Sequence, residues 1–271
     1  MPYVIVTNGP TGSGKTGLIK KTIDNYNLDR DYEKFLIDDI IEQNEEYKSS
    51  IDKLIHKECK NGTLCPALRM KLLDPPEELQ HEFQNLYTTF RKQKKCKSKD
   101  GNAMTCDDLL DSMLFDAIKR GTNIVFETVG TYYVSWLVDK LRGYDVYYAF
   151  TLLDFCENLR RNTTRAVEMT ENFVNQRWKK GIPAPRLPDV SAHYFSGVIK
   201  QVHKNLESLI YLHKVGELPD VHRIIVFDNT NRDIKVLFDS QQEHSYDELA
   251  KHMHKIMSST KHRSCYRMRL K

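Results

Sequence analysis

The sequence predicts an α/β protein built on a doubly wound, mostly parallel sheet, and three observations predict it. Short runs rich in β-branched and aromatic residues recur along the chain, helical periodicities lie between them, and the first run enters a glycine-rich turn that opens a helix. Alternation of this kind is the pattern of parallel strands joined by crossover helices.

Five runs read as strands: residues 3–7, 34–38, 122–126, 145–152 and 221–227. Most are apolar throughout rather than alternating, as expected of strands covered on both faces. A helix over 15–26 follows the first. A second helix over 106–120 carries Leu109, Leu110, Met113, Leu114, Ala117 and Ile118 at i, i+3, i+4 spacing and stops at Gly121. A third over 190–215 carries Phe195, Val198, Ile199, Val202, Leu206, Leu209 and Ile210, with Gly216 where a left-handed C-cap falls. The gap between the second and third strands is longer than an ordinary crossover. It contains Pro75-Pro76, a basic run from Arg91 to Lys99 and Gly101-Asn102, and reads as a helical insertion with a mobile basic loop. The expected organisation is a domain over 1–250, with 43–105 as the insertion, and a basic tail over 251–271. No internal repeat is visible.

Composition narrows the class. No apolar run approaches the roughly 20 residues of a membrane span, and the N-terminus leads straight into a strand-like run without a basic leader, which suggests a cytoplasmic or nuclear chain. Among the six cysteines, Cys59, Cys65, Cys96 and Cys106 share one segment, but they lack the close pairs of a zinc module and read as scattered reduced thiols. The formal charge of +4 is uneven: residues 251–271 hold Lys251, Lys255, Lys261, Arg263, Arg267, Arg269 and Lys271 with no acid. That tail is a candidate for nucleic-acid contact, and a solvated basic tail is the alternative.

Gly9-Pro10-Thr11-Gly12-Ser13-Gly14-Lys15-Thr16 is a complete Walker A sequence, with the strand before it and the helix after it that the motif requires. The glycines admit backbone angles that bring successive N–H groups onto one phosphate, and the helix adds its positive N-terminal end. Lys15 is expected to reach the β- and γ-phosphates of ATP, and Thr16 to offer its hydroxyl to Mg²⁺.

The reaction is read from the rest of the chain. No Asn-Lys-x-Asp guanine reader appears near the fifth strand, which argues against a signalling GTPase. GPTGSGKT resembles the opening of tRNA isopentenyltransferases, but Phe35-Leu36-Ile37-Asp38-Asp39-Ile40-Ile41-Glu42-Gln43 lacks the serine of that family. In four places, spanning most of the chain outside the insertion and the tail, the sequence resembles the zeta-toxin family of P-loop kinases. The places are Ile37-Asp38-Asp39-Ile40-Ile41 after the second strand, Ile124-Val125-Phe126-Glu127-Thr128 at the third, Leu159 to Arg165 with Arg186 to His193 after the fourth, and Phe227-Asp228-Asn229 at the fifth.

The resemblance implies an ATP- and Mg²⁺-dependent kinase that phosphorylates a hydroxyl of a small molecule, in that family the sugar of UDP-N-acetylglucosamine. It implies Asp39 as catalytic base, with Asp38 the neighbouring alternative, Glu127 and Thr128 on the substrate, and Arg165 and Arg186 as arginines that neutralise charge on the transferred phosphoryl group. It also implies an antitoxin-like partner. The chain departs from the family at Glu42, where a basic residue is usual, and in the size of the insertion. Taken alone, either aspartate could as well cap the helix that follows it. Two further readings stay open: a nucleic-acid kinase or tRNA-modifying transferase, which gives the basic segments a purpose, and a protein that binds ATP without transferring phosphate.

Overall fold

The computed structural model describes residues 1–60, 63–98, 100–129, 140–176, 179, 181–219, 221–230, 234–242 and 245–259. In chain order its elements are β1 (Tyr3–Asn8), α1 (Lys15–Tyr26), β2 (Glu33–Phe35), α2 (Ile37–Glu42), α3 (Glu45–Glu58), α4 (Pro66–Leu73), α5 (Glu77–Lys92), β3 (Cys96–Lys97), β4 (Ala103–Met104), α6 (Cys106–Arg120), β5 (Ile124–Thr128), β6 (Asp145–Leu152), α7 (Phe155–Gln176), α8 (Ala192–Lys214), β7 (His222–Asp228), β8 (Lys235–Asp239) and α9 (Tyr246–Ser259). They form two compact units, one comprising Met1–Phe35, Asp116–Leu159 and Ser191–Lys271, the other Leu36–Phe115 and Arg160–Val190.

The first unit holds a six-stranded sheet in the order β2-β5-β1-β6-β7-β8. All pairings are parallel except β7 with β8, so the α/β, mostly parallel fold read from the sequence is the one observed. Tyr3 and Ile5 pack with Leu18, Ile19 and Ile23 of α1 on one face. Val4 and Val6 alternate to the opposite face and are equally buried, so β1 is covered on both sides. That double burial explains why the strand reads as a continuous apolar run. Gly121 and Gly216 take positive φ (69° and 72°) where the sequence places helix ends. β8 escaped the sequence reading, being a short antiparallel edge strand with an irregular register at Val226/Phe227.

The second unit has its own core. Ile41, Tyr47, Ile51, Ile55, Leu68, Leu72 and Phe83 from α2 to α5 pack with Ala166, Val167 and Phe173 of α7. Asn44 caps α3 by accepting from the Glu46 and Tyr47 N–H groups.

Three expectations need correction here. The run 34–38 is a strand only over Glu33–Phe35; from Ile37 it is α2. Ile37, Ile40 and Ile41 have i, i+3, i+4 spacing and meet the second core, and Asp38 and Asp39 sit in the first turn, where the helix dipole favours carboxylates. The described part of the basic run, residues 91–98, is paired with other elements rather than looped out into solvent. Arg91 and Lys92 end α5 and pair with Asp107, Lys95 pairs with Glu46, and Cys96–Lys97 pairs with Ala103–Met104 in a small hairpin. Nor are the middle cysteines reduced: Cys59 is bonded to Cys65 and Cys96 to Cys106. Chain folding, not sequence spacing, brings each pair together, and disulfides of this kind persist where thiols are not kept reduced. No helix among the described residues is long and apolar enough to cross a membrane.

The Cys96–Cys106 bridge closes a loop with a sequence separation of 10, and a loop of that size is worth about 3 kcal/mol in chain entropy. Replacing both residues by serine is expected to lower stability by that order in denaturant unfolding, and reductant should bring the parent chain down toward the variant. An unchanged midpoint in both experiments would show the bridge to be absent in solution.

Candidate active site

The turn between β1 and α1 carries the Walker A residues, at the carboxyl end of the central strand. β1 is flanked by β5 and β6, so the turn lies where the strand order departs in both directions, the usual ligand position of open α/β sheets. Gly12 and Gly14 take φ of 78° and 80°, the left-handed region that side chains avoid. At Gly9 the constraint is space: an added Cβ would overlap the Thr151 methyl and lie 2.8 Å from Ser13 Oγ. Gly14 is the N-cap of α1 and brings no side-chain cap, so no side chain there competes for the first N–H groups of the helix.

Neighbouring elements brace the turn by its carbonyls. Asn158 Nδ2 of α7 donates to Thr11 O at 2.6 Å. Asn229 Nδ2, just past β7, donates to Ser13 O at 2.6 Å, and Thr151 Oγ1 of β6 donates to the same oxygen at 3.3 Å. Pro10, Thr11 and Ser13 are buried, whereas Thr16 is exposed on the first turn of α1. Lys15 arches over the turn, its Nζ donating to Gly9 O at 3.1 Å and Pro10 O at 3.2 Å. These residues fit a nucleotide phosphate chain: a Cβ-free cradle, a lysine held above it and a hydroxyl beside it. Sequence reasoning missed Asn158, Thr151 and the part played by Asn229. A polar residue that binds a distant carbonyl leaves no period or motif to read.

Glu127 and Thr128 close β5 in the same unit, in register with Thr7 and Asn8 of β1. Both are buried, and Glu127 Oε1 lies 3.4 Å from Lys34 Nζ of the strand on its other side. The two residues thus share the strand edge from which the Walker A turn departs. Among the described residues, no group of three His, Cys, Asp or Glu could hold a metal by itself.

Asp39, Arg165 and Arg186 belong to the second unit. Asp39 is exposed on α2, and Arg165 is exposed on α7. Asp38 and Arg186 are largely enclosed. Arg186 Nη2 lies 2.5 Å from Asp38 Oδ2, its Nε lies 2.8 Å from Glu42 Oε1, and its guanidinium sits 5.9 Å from the centre of the Tyr87 ring. Tyr87 Oη donates to Asp38 Oδ1 at 2.6 Å. Burial works against the charge of Arg186, but Asp38 and Glu42 outweigh it and push its pKa up. Glu42 is buried and its carboxyl is pushed up to about 7: desolvation raises it, Arg186 opposes, Asp38 adds repulsion, and Arg165 and Asp39 act more weakly in opposite senses. The sequence marked Glu42 only as a departure, and its pairing with Arg186 depends on contact between distant segments. The tail residues from Lys261 to Lys271 lie outside the described residues.

No family model and no curated protein matches this chain. Among solved structures it is similar to a chain of the PezAT chromosomal toxin–antitoxin system of Streptococcus pneumoniae, at 12% identity and a TM-score of 0.49 over 96% of this chain and 86% of that one.

The Gly9→Ala variant tests the packed turn. Its Cβ has to displace Thr151 or Ser13, an overpacking cost of about 1–3 kcal/mol. Denaturant unfolding should record that loss, and titration with a fluorescent ATP analogue should record weaker binding. Parent-like behaviour in both would mean that the turn is not packed as described.

Proposed function

We propose that the chain is an ATP-dependent phosphotransferase that moves the γ-phosphate onto a hydroxyl of a small molecule, with a nucleotide sugar such as UDP-N-acetylglucosamine as the first acceptor to test. One observation carries the reading: a Walker A turn whose glycines occupy the conformations and spaces that only glycine fits, braced through its carbonyls by Asn158, Thr151 and Asn229.

In this reading the turn and the N-terminus of α1 hold the phosphates of ATP, and Lys15 moves its donors from the Gly9 and Pro10 carbonyls to phosphate oxygens. Thr16 holds Mg²⁺, which offsets the charge of the phosphates. The acceptor hydroxyl oxygen forms the new bond to the γ-phosphorus as the bond to the β,γ-bridging oxygen breaks, leaving ADP. Asp39 orients that hydroxyl and takes its proton late in the transfer. Of the two neighbouring aspartates Asp39 is the more exposed, and an acceptor reaches it more readily than the enclosed Asp38. Arg165, an exposed guanidinium, neutralises charge on the moving phosphoryl group. Arg186 serves the same end from its ion-paired seat, and Glu127 and Thr128 contact substrate.

Incubation with γ-labelled ATP and three acceptor pools (nucleotide sugars, nucleosides and oligonucleotides) tests the reading. Label is expected in the small-molecule pools. Asp39→Asn should cut the rate by about 10²–10⁴, and Arg165→Ala by up to about 10³, each with ATP binding retained. Label confined to oligonucleotide ends would favour a nucleic-acid kinase. ATP binding with no labelled acceptor would favour a binder that does not transfer phosphate.

A further inference from the structure

The segment carrying Arg186 is tied to α2 at three levels, all within the second unit. Gln43 Nε2 donates to Gly181 O at 3.0 Å, the Ala184 N–H donates to Glu42 O at 2.8 Å, and Arg186 bridges Asp38 and Glu42. Asp38 and Glu42 are four residues apart and share one face of this short helix, while Asp39 lies about 100° around it, on the exposed side. The clasp therefore grips α2 on one face and leaves the proposed base on another. One guanidinium serves two carboxylates, and only one of the two is well satisfied. Asp38 has the Tyr87 hydroxyl as well, whereas Glu42 Oε1 has Arg186 as a charge partner without the alignment of a hydrogen bond.

We propose that Glu42 is a positioning residue: by sharing Arg186 with Asp38, its carboxylate closes the clasp that sets the orientation of α2, and with it the presentation of Asp39. The step from the clasp to Asp39 rests on the phosphotransferase reading; the clasp itself does not. The groups around Glu42 are Asp38 and Asp39 on its own helix, Tyr47 of α3, Arg165 of α7 and Arg186, with Tyr87 of α5 against Asp38 and Arg186. The tyrosines are neutral at physiological pH, since burial pushes both up. Glu42, at about 7, is thus the member that changes charge near neutrality. When it is protonated, Arg186 answers to Asp38 alone; when it is ionised, the bridge is complete. A basic residue at position 42 could not form this bridge.

The test uses the full chain with Glu42→Gln, Glu42→Asp and Asp39→Asn. The activity probe is release of inorganic phosphate from ATP with water as acceptor. The parent rate is expected to rise with pH through about 7, the value at which Glu42 ionises. Glu42→Gln should abolish that rise and lower kcat about tenfold at pH 8 with KM for ATP unchanged, as positioning of a general base requires. Glu42→Asp, which restores a carboxylate, should recover a pH-dependent limb.

Thermal unfolding over the same range gives a second readout that needs no activity. The folded chain holds the Glu42 proton more tightly than the unfolded chain does. Burial pushes His203 and His222 down to about 4, and both add the opposite slope to parent and variant alike, so the readout is the difference between the two proteins. Relative to Glu42→Gln, the parent should lose stability as pH rises from about 5 to 7. A stability difference that does not change with pH, together with a rising limb retained in Glu42→Gln, would overturn the proposal. The expected stability difference with an unchanged rate profile would leave a structural clasp and overturn the positioning role. If Asp39→Asn does not alter phosphate release, the phosphotransferase reading fails, while the stability slope still decides the clasp.

Discussion

The turn over residues 9–14 must reverse its backbone between a buried strand and a helix without side chains in the way, and the first unit is organised around that constraint. Gly12 and Gly14 meet it by conformation and Gly9 by volume. A turn with buried carbonyls must find donors for them. Asn158, Asn229 and Thr151 supply them from α7, from the end of β7 and from β6. The parallel order of the sheet sets the carboxyl ends of β1, β5, β6 and β7 along one edge, which is how residues so far apart in sequence reach two carbonyls of one turn. Each of those asparagines offers an amide to a buried acceptor, and a net contribution of about 1 kcal/mol each is repeated around a single loop.

The second unit answers a different problem. It encloses an arginine and two carboxylates beside an apolar core of isoleucines, leucines and aromatics. Such a group is a weak source of stability, because desolvation offsets much of the attraction, yet removing one member leaves an uncompensated charge. Here the cost is eased by the Tyr87 hydroxyl on Asp38 and by a pKa that lets Glu42 be neutral near pH 7. Two disulfides sit in the same unit, one closing the turn between α3 and α4 and the other spanning the β3–β4 hairpin.

Much of this was legible beforehand. β1, α1, α6 and β6 follow from apolar runs and 3.6-residue spacing, and the Walker A residues announce themselves because glycine is the only residue type that fits several consecutive backbone requirements. The reading failed where two periods compete or where contact is distant. Ile37 reads as part of a strand over 34–38, and only the packing of Ile37, Ile40 and Ile41 against the second core shows helical spacing to be the operative one. The basic run looked solvated because its acids, Asp107 and Glu46, come from outside it.

By itself the sequence determined the sheet-and-helix alternation, the ends of the main helices and the glycine turn between β1 and α1, because each depends on neighbours within a few residues. Tertiary structure alone decided which asparagines brace the glycine turn, that the middle cysteines pair, that Asp38 and Arg186 are enclosed while Asp39 and Arg165 are exposed, and that Glu42 is buried against Arg186. Charge state and exposure depend on what the rest of the chain brings within a few ångströms, and local spacing in the sequence does not encode that.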